Sequence, residues 1–512
     1  MKLLFLAAFI TASFSLQAQN NTLLDQSFWK NTPDLTAVKA EIKKGNNPSE
    51  ATKNGMDAVV YAINGQASNE VIKFLLEQKG NDANKLTHDG RTYIFWAANR
   101  GNVEIVEYLI SKGAKVNVED THDMTAIRFA AAAGQTNTKL YDVLINAGSD
   151  VKQKNRDGAN LLLLAIANDK ELIITDYFIS KGLSLKDTDA AGNTAFNYAA
   201  KSGNIQLMKT LVQKGVKYND NAMIMATLSG GRGSAANGIE VFQYLESLNI
   251  KPTAVNANGE NALHNTVRKP NQTEIIKYFL SKGVSVNQAD NDGNTPFMNA
   301  ALSNRDTAVI NLLAQSVKDI NQRNKKGVSA LAMAVKNNGA EVVQLLINKG
   351  ADINTADAEG NNLAFYLIQS YSAQAQGGGQ QAGRQVGGPG DNQPRPDAFS
   401  AKSKVLQEGG FNLTTPQKDG NTLYHLAIVK NDVSLLKRIE KLNVDVNAKN
   451  KEGLTPLHKA AMISKDDVIL KYLLSIGAKK DVGTEFKETA FDLAKENEYF
   501  AKTNVSIDFL KP

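Results

Sequence analysis

One glycine recurs along this chain with a near-constant interval, and that interval limits the fold more than any other feature. A glycine or a substitute follows an amphipathic run at Gly45, Gly80, Gly113, Gly148, Gly182, Gly215, Asn249, Gly283, Val317, Gly350, Gly410, Asn443 and Gly477. The spacings are 33 to 35 residues except for one of 60. Asparagine is a sensible substitute, since both residues tolerate the left-handed conformation that ends a helix. Valine does not, so the helix before Val317 is expected to end differently. A fixed period of this length is the mark of a repeat array, in which one unit cannot bury its own apolar face and must stack on the next.

A second marker follows most of these by ten residues. Gly55, Gly90, Gly158, Gly192, Gly259, Gly293, Gly327, Gly360, Gly420 and Gly453 mostly close tight-turn dipeptides such as Asp-Gly. Two residues later comes a helix N-cap: Asp57, Thr92, Asn160, Thr194, Asn261, Thr295, Ser329, Asn362, Thr422 and Thr455, with Thr125 in register. Such a cap satisfies a first-turn amide and contributes about 1 kcal/mol. Pro296 and Pro456 take the first helical position, where a missing N–H costs nothing. Each unit therefore reads as a turn, a short Ala-rich helix and a second helix patterned like VEIVEYLISKG, Val103 to Gly113.

The segment TPLHKAA at Thr455–Ala461, helix endings such as KGADIN at Lys349–Asn354, and the period itself resemble the ankyrin-repeat family, here of a secreted bacterial type. The resemblance covers roughly residues 25 to 500. It implies an all-α repeat solenoid of stacked helix-turn-helix units with projecting β-turn fingers. About thirteen repeats are expected in a single array over 19–512, with atypical caps at about 25–53 and 486–512. It also implies protein binding, through finger residues and the end of each first helix.

Those positions hold His88, Asp89, Arg91, Asn99 and Arg100 in one unit and His122 in the next. Further along stand Arg156 and Asp157, Asn258 and Glu260, Arg268 and Lys269, Asn291 and Asp292, and Lys325 and Lys326. Differing polar side chains on equal backbones suit a selective surface for another protein. His264, His425 and His458 fall on the family's TPLH histidine, whose implied role is hydrogen bonding between neighbouring units. The next position reads Trp96, Phe129, Leu164, Tyr198, Asn265, Asn299, Met333, Tyr366, Leu426 and Lys459, and is expected to be core.

Two irregularities stand out. After Gly215 the N-cap reads as Asn221, so one finger is about six residues short, and GRGSAANG, Gly231–Gly238, then adds a loop. That loop lacks the Gly-Lys-Ser/Thr ending of a phosphate cradle. The 60-residue interval contains Ser372–Ala398, with seven Gly, three Pro and six Gln in 27 residues. Its composition predicts a disordered insertion within one repeat.

Composition bounds the rest. Met1–Ala18 reads as a signal peptide cleaved after Ala18, with Lys2 before an apolar core, Leu3 to Phe14, too short to span a membrane. The expected compartment is the periplasm or the exterior. No cysteine occurs, which excludes disulfides and thiolate metal sites. The 58 basic and 52 acidic residues alternate without a basic stripe, which argues against nucleic acid. No catalytic constellation, cofactor loop or metal-ligand spacing is found. The expectation is a monomeric, non-enzymatic scaffold with a protein partner. The rival readings are an inhibitor or immunity-type protein for a periplasmic enzyme or toxin, and an enzyme using one of the irregular loops.

Overall fold

The computed structural model describes residues 21–229, 235–372, 397–503 and 505–512. The expected signal peptide, most of the expected insertion and part of the Gly231–Gly238 loop lie outside them. Among the described residues there are 28 α-helices and no extended strand, only isolated bridges such as Arg323 with Ser329. The chain groups into two compact units, one ending at Ser229 and the other beginning at Gly230.

Within each unit, helices come in antiparallel pairs. Tyr93–Asn99 followed by Val103–Ser111 is typical of the first unit, and Pro456–Ile463 followed by Val468–Ser475 of the second. The first helix of a pair is short and buried nearly all round; Tyr93, Ile94, Phe95, Ala97 and Ala98 are fully enclosed. Alanine at two of these five positions lets first helices of adjacent repeats approach. The second helix buries one face only, as with Ile105, Val106 and Leu109. Fully burying such a side chain is worth about 1.5–3 kcal/mol, so stacking supplies most of the stability.

Helix ends follow the sequence signals closely. Asn249 and Asn443 are left-handed, with φ of 63° and 56°. The substitute after Gly283 is Ser316 and not Val317: the helix Thr307–Ala314 ends early, and no left-handed residue follows it. Thr455 accepts from the His458 amide as a cap should, at 3.4 Å. The hydroxyls of Thr92 and Thr125 stand at the N-cap but are buried without a partner. In the short-finger repeat Asp220 is the N-cap and Asn221 the first helical residue, one position from the expected cap.

Several fingers are tied to the next by one backbone hydrogen bond. Asn291 donates to the Asn258 carbonyl at 2.7 Å, Lys325 to Asp292 at 2.9 Å and Ala358 to Lys326 at 2.9 Å. This close approach explains the finger glycines. A Cβ on Gly327 would sit 2.5 Å from the Ala358 nitrogen, and its φ is already +75°.

First helices are also tied at their C-termini. Asn304 donates to the Val267 carbonyl at 2.7 Å, and Asn338 to Ala301 at 2.9 Å. In the interrupted repeat that register holds Tyr371, whose hydroxyl goes instead to Asp432. The carbonyl left over, Val335, accepts from Lys402 Nζ at 2.8 Å, and Lys402 is only 3% exposed. Lys402 lies on Ala398–Glu408, the helix after the undescribed residues, and Tyr371 packs edge-on against its Phe399. The helices on either side of residues 373–396 are therefore partners in one repeat.

Candidate interaction surface

Two rows of side chains stand on this scaffold, one along the finger tips and one at the ends of the first helices. In the finger row His122, Arg156, Asp157, Asn258, Asn291, Asp292, Lys325 and Lys326 are exposed. Their backbones are held by the inter-finger ladder, so side chains differ while their supports do not. Arg156 has 79% of its side chain exposed while pairing with Asp123 at 2.7 Å.

Other candidates from the sequence are committed internally. The Arg91 side chain is 12% exposed; its Nε meets Asp120 at 2.8 Å and its Nη1 meets Asp89 at 3.3 Å. Its guanidinium lies 4.4 Å from the Phe129 ring centroid, so it braces two repeats and is not displayed to a partner. Glu260 accepts from Asn256 within its own finger at 2.9 Å. Asp89 is left-handed and draws in both finger histidines, His88 Nε2 at 3.4 Å and His122 Nδ1 at 4.0 Å. Among the described residues no group of three or more His, Asp or Glu is placed to hold a metal ion.

At the helix ends, Arg100 and Arg268 are exposed, while Asn99 and Lys269 are half-buried. Arg100 Nε donates to Asn64 at 3.3 Å and Arg268 Nη2 to Asn299 at 2.6 Å, each bridging adjacent repeats. The same row turns apolar near the end of the second unit. Val429 is 65% exposed and Met462, in the same register one repeat later, 47%. Phe486, on the last finger, is 85% exposed. Sequence reading passed these over because each looks like an ordinary helix or cap residue alone; the signal is the register they share with Arg268.

The three TPLH histidines join neighbouring repeats as the resemblance implied. Nε2 of His264, His425 and His458 lies 3.2, 2.9 and 2.9 Å from the carbonyls of Asn294, Leu454 and Val482. Nδ1 accepts from the N-cap amide in each, which fixes the proton on Nε2. Burial pushes all three below the usual histidine range, His425 to about 4. One repeat places Arg128 in this register, 2% exposed, with Nη1 on the Asp123 carbonyl at 2.5 Å and Nη2 without a partner.

The following position is less enclosed than expected. Trp96, Met333 and Tyr366 are buried, but Phe129, Leu164, Tyr198 and Leu426 are only half-buried. Where the residue is aromatic with a polar handle it closes the repeat's own finger: Trp96 Nε1 donates to Thr87, Tyr198 to Asp189 and Tyr366 to Asp357.

Family models described as ankyrin repeats match residues 29–120, 125–222, 233–324, 263–357, 304–374 and 424–474, well over half of the chain. The chain belongs to the ankyrin-repeat family. It is 25% identical over 54% of its length to alpha-latroinsectotoxin-Lt1a of Latrodectus tredecimguttatus, of which the match spans 20%. It is 24% identical over 89% of its length to transient receptor potential cation channel subfamily A member 1 of Homo sapiens, covering 33% of that protein. A putative ankyrin repeat protein of Rickettsia felis is 25% identical over 55% of this chain and 70% of its own length. The chain thus spans a third or less of the first two relatives. Ankyrin repeats mark a protein–protein interaction module, and among the described residues no helix is long and apolar enough to cross a membrane.

Proposed function

We propose that this ankyrin-repeat chain is a non-enzymatic scaffold of the bacterial envelope, exported by Met1–Ala18, that holds a protein partner on its fingers and first-helix ends. The observation that carries this reading is the finger ladder: one hydrogen-bonded frame presents Asn258, Asp292 and Lys326 at equivalent tips in three successive repeats. A rigid frame lowers the ordering cost of binding, and alternating charge selects among partners. The exposed Val429 and Met462 add apolar contact that a polar ladder lacks.

Affinity capture from an envelope extract tests this, using the chain from Gln19 onward. The control carries alanine at Arg156, Asp157, Asp292, Lys325 and Lys326, all exposed and outside the core. A partner held by the wild type and lost by the control supports the reading. Equal retention places the binding elsewhere, and loss of a captured enzyme's activity would favour the inhibitor reading.

A further inference from the structure

In four repeats an asparagine locks the loop after the second helix to the loop one repeat later. Asn84 donates to the Gly113 carbonyl at 2.9 Å and accepts from the Lys115 amide at 2.8 Å. Asn287 does the same with Ser316 and Lys318, Asn321 with Gly350 and Asp352, and Asn447 with Gly477 and Lys479. Each bracket needs one donor and one acceptor on the same side chain.

In the repeat that ends at Gly182 this register is Lys186, which has three donors and no acceptor. The loop it should hold is the shortened one. There Asn219 turns back, donating to the Gly192 carbonyl at 2.9 Å, so it offers the gap nothing. The Lys217 amide, whose equivalents in four other repeats are bound by an asparagine oxygen, has no partner among the described residues. Gly215 is exposed, and its carbonyl is left to solvent.

A cavity of about 550 Å³ opens at this place. Small-ligand sites run from about 300 to 1,000 Å³. Its apolar lining is wholly aliphatic: Ile179, Leu183, Leu185 and Val216. Lys186, Lys214 and Lys217 border it, all exposed and none paired with a carboxylate among the described residues.

We propose that this cavity binds an amphiphilic monocarboxylate, a medium-chain fatty acid, whose carboxylate takes the place of the missing asparagine oxygen at the Lys217 amide. A carboxylate accepts from the Lys217 N–H and pairs with the ammonium groups that border the cavity, while the Gly215 carbonyl stays with solvent. The alkyl chain covers the aliphatic lining. The inference stands apart from the protein-binding reading, and either can fail without the other.

Calorimetric titration of the full chain with decanoate, below its micelle concentration, tests it, with decanol and decyltrimethylammonium as comparators. Decanoate should bind at least about tenfold more tightly than either. Lys186→Asn should restore the bracket within the chain, keep the fold and abolish decanoate binding. Lys214→Glu with Lys217→Glu should weaken it about tenfold or more. Absence of decanoate binding to the wild type overturns the proposal, as does equal affinity for decanol or undiminished binding by Lys186→Asn. Binding of a short leucine–aspartate peptide where decanoate fails also overturns it, in favour of a protein ligand.

Discussion

His425 Nε2 and the Leu454 carbonyl, 29 residues apart, meet at 2.9 Å in a site where the histidine is fully buried. The neutral ring is built into the repeat interface, because its Nδ1 must accept from the Thr422 amide. A proton on Nδ1 would set two donors against each other.

Stability should therefore depend on pH through this residue. Burial lowers the folded pKa to about 4 from 6.5, so the unfolded chain binds the proton first. The contribution is complete above about pH 6.5 and is lost as pH falls towards 4, by on the order of 3 kcal/mol. Urea titrations of wild type and His425→Gln at about pH 7 and pH 4.5 check this. The variant should be weaker at the higher pH and lose less on acidification; equal losses would contradict it.

Lys402 acts in the same direction at alkaline pH. Burial first, and Arg305 second, lower its pKa from 10.5 to about 8. The unfolded chain then holds the proton between those values, so stability rises with pH across them. Relative to Lys402→Met, the wild type should gain on the order of 2 kcal/mol between about pH 7.5 and 9.5. Chemical denaturation at both pH values reads the difference.

Glu246 is held by two side chains of the next repeat, Lys282 at 2.5 Å and Tyr278 at 2.8 Å, and Lys282 foremost lowers its pKa. Both ends of the ion pair are about a third exposed. A double-mutant cycle of Glu246→Gln and Lys282→Met should give a coupling of about 0.5–1 kcal/mol. It should shrink in about 1 M salt, where screening acts over about 3 Å.

Gly327 and Gly350 separate two costs that look alike in sequence. Both have positive φ, +75° and +86°, but only at Gly327 would a Cβ strike a neighbouring backbone. Gly350→Ala should cost about 1–2 kcal/mol from conformation alone. Gly327→Ala should cost more and should loosen the Ala358 amide, visible as faster hydrogen exchange there.

The repeat, its caps and its left-handed helix ends were legible because each depends on a few adjacent residues. Thr455, Pro456 and Gly453 announce a finger and a helix wherever they fall together. What was not legible depends on the neighbouring repeat. Lys402 reads as a solvated helix lysine until Tyr371 is seen to stand in an asparagine's place and leave the Val335 carbonyl free for it. Arg91 reads as a displayed cation until Asp120 and Phe129 close over it. The exchange of Val317 for Ser316 as marker follows from a helix one residue shorter, which no local signal announces. Neither the aliphatic gap beside Lys186 nor the exposed pair Val429 and Met462 is visible from one repeat alone.

The most direct measurement for the central claim is the affinity of a captured envelope partner for the wild type and for the variant with alanine at Arg156, Asp157, Asp292, Lys325 and Lys326. The finger ladder predicts that the dissociation constant rises about tenfold or more in the variant, with its fold unchanged by circular dichroism. An unchanged dissociation constant would contradict the account and remove the fingers from the binding surface.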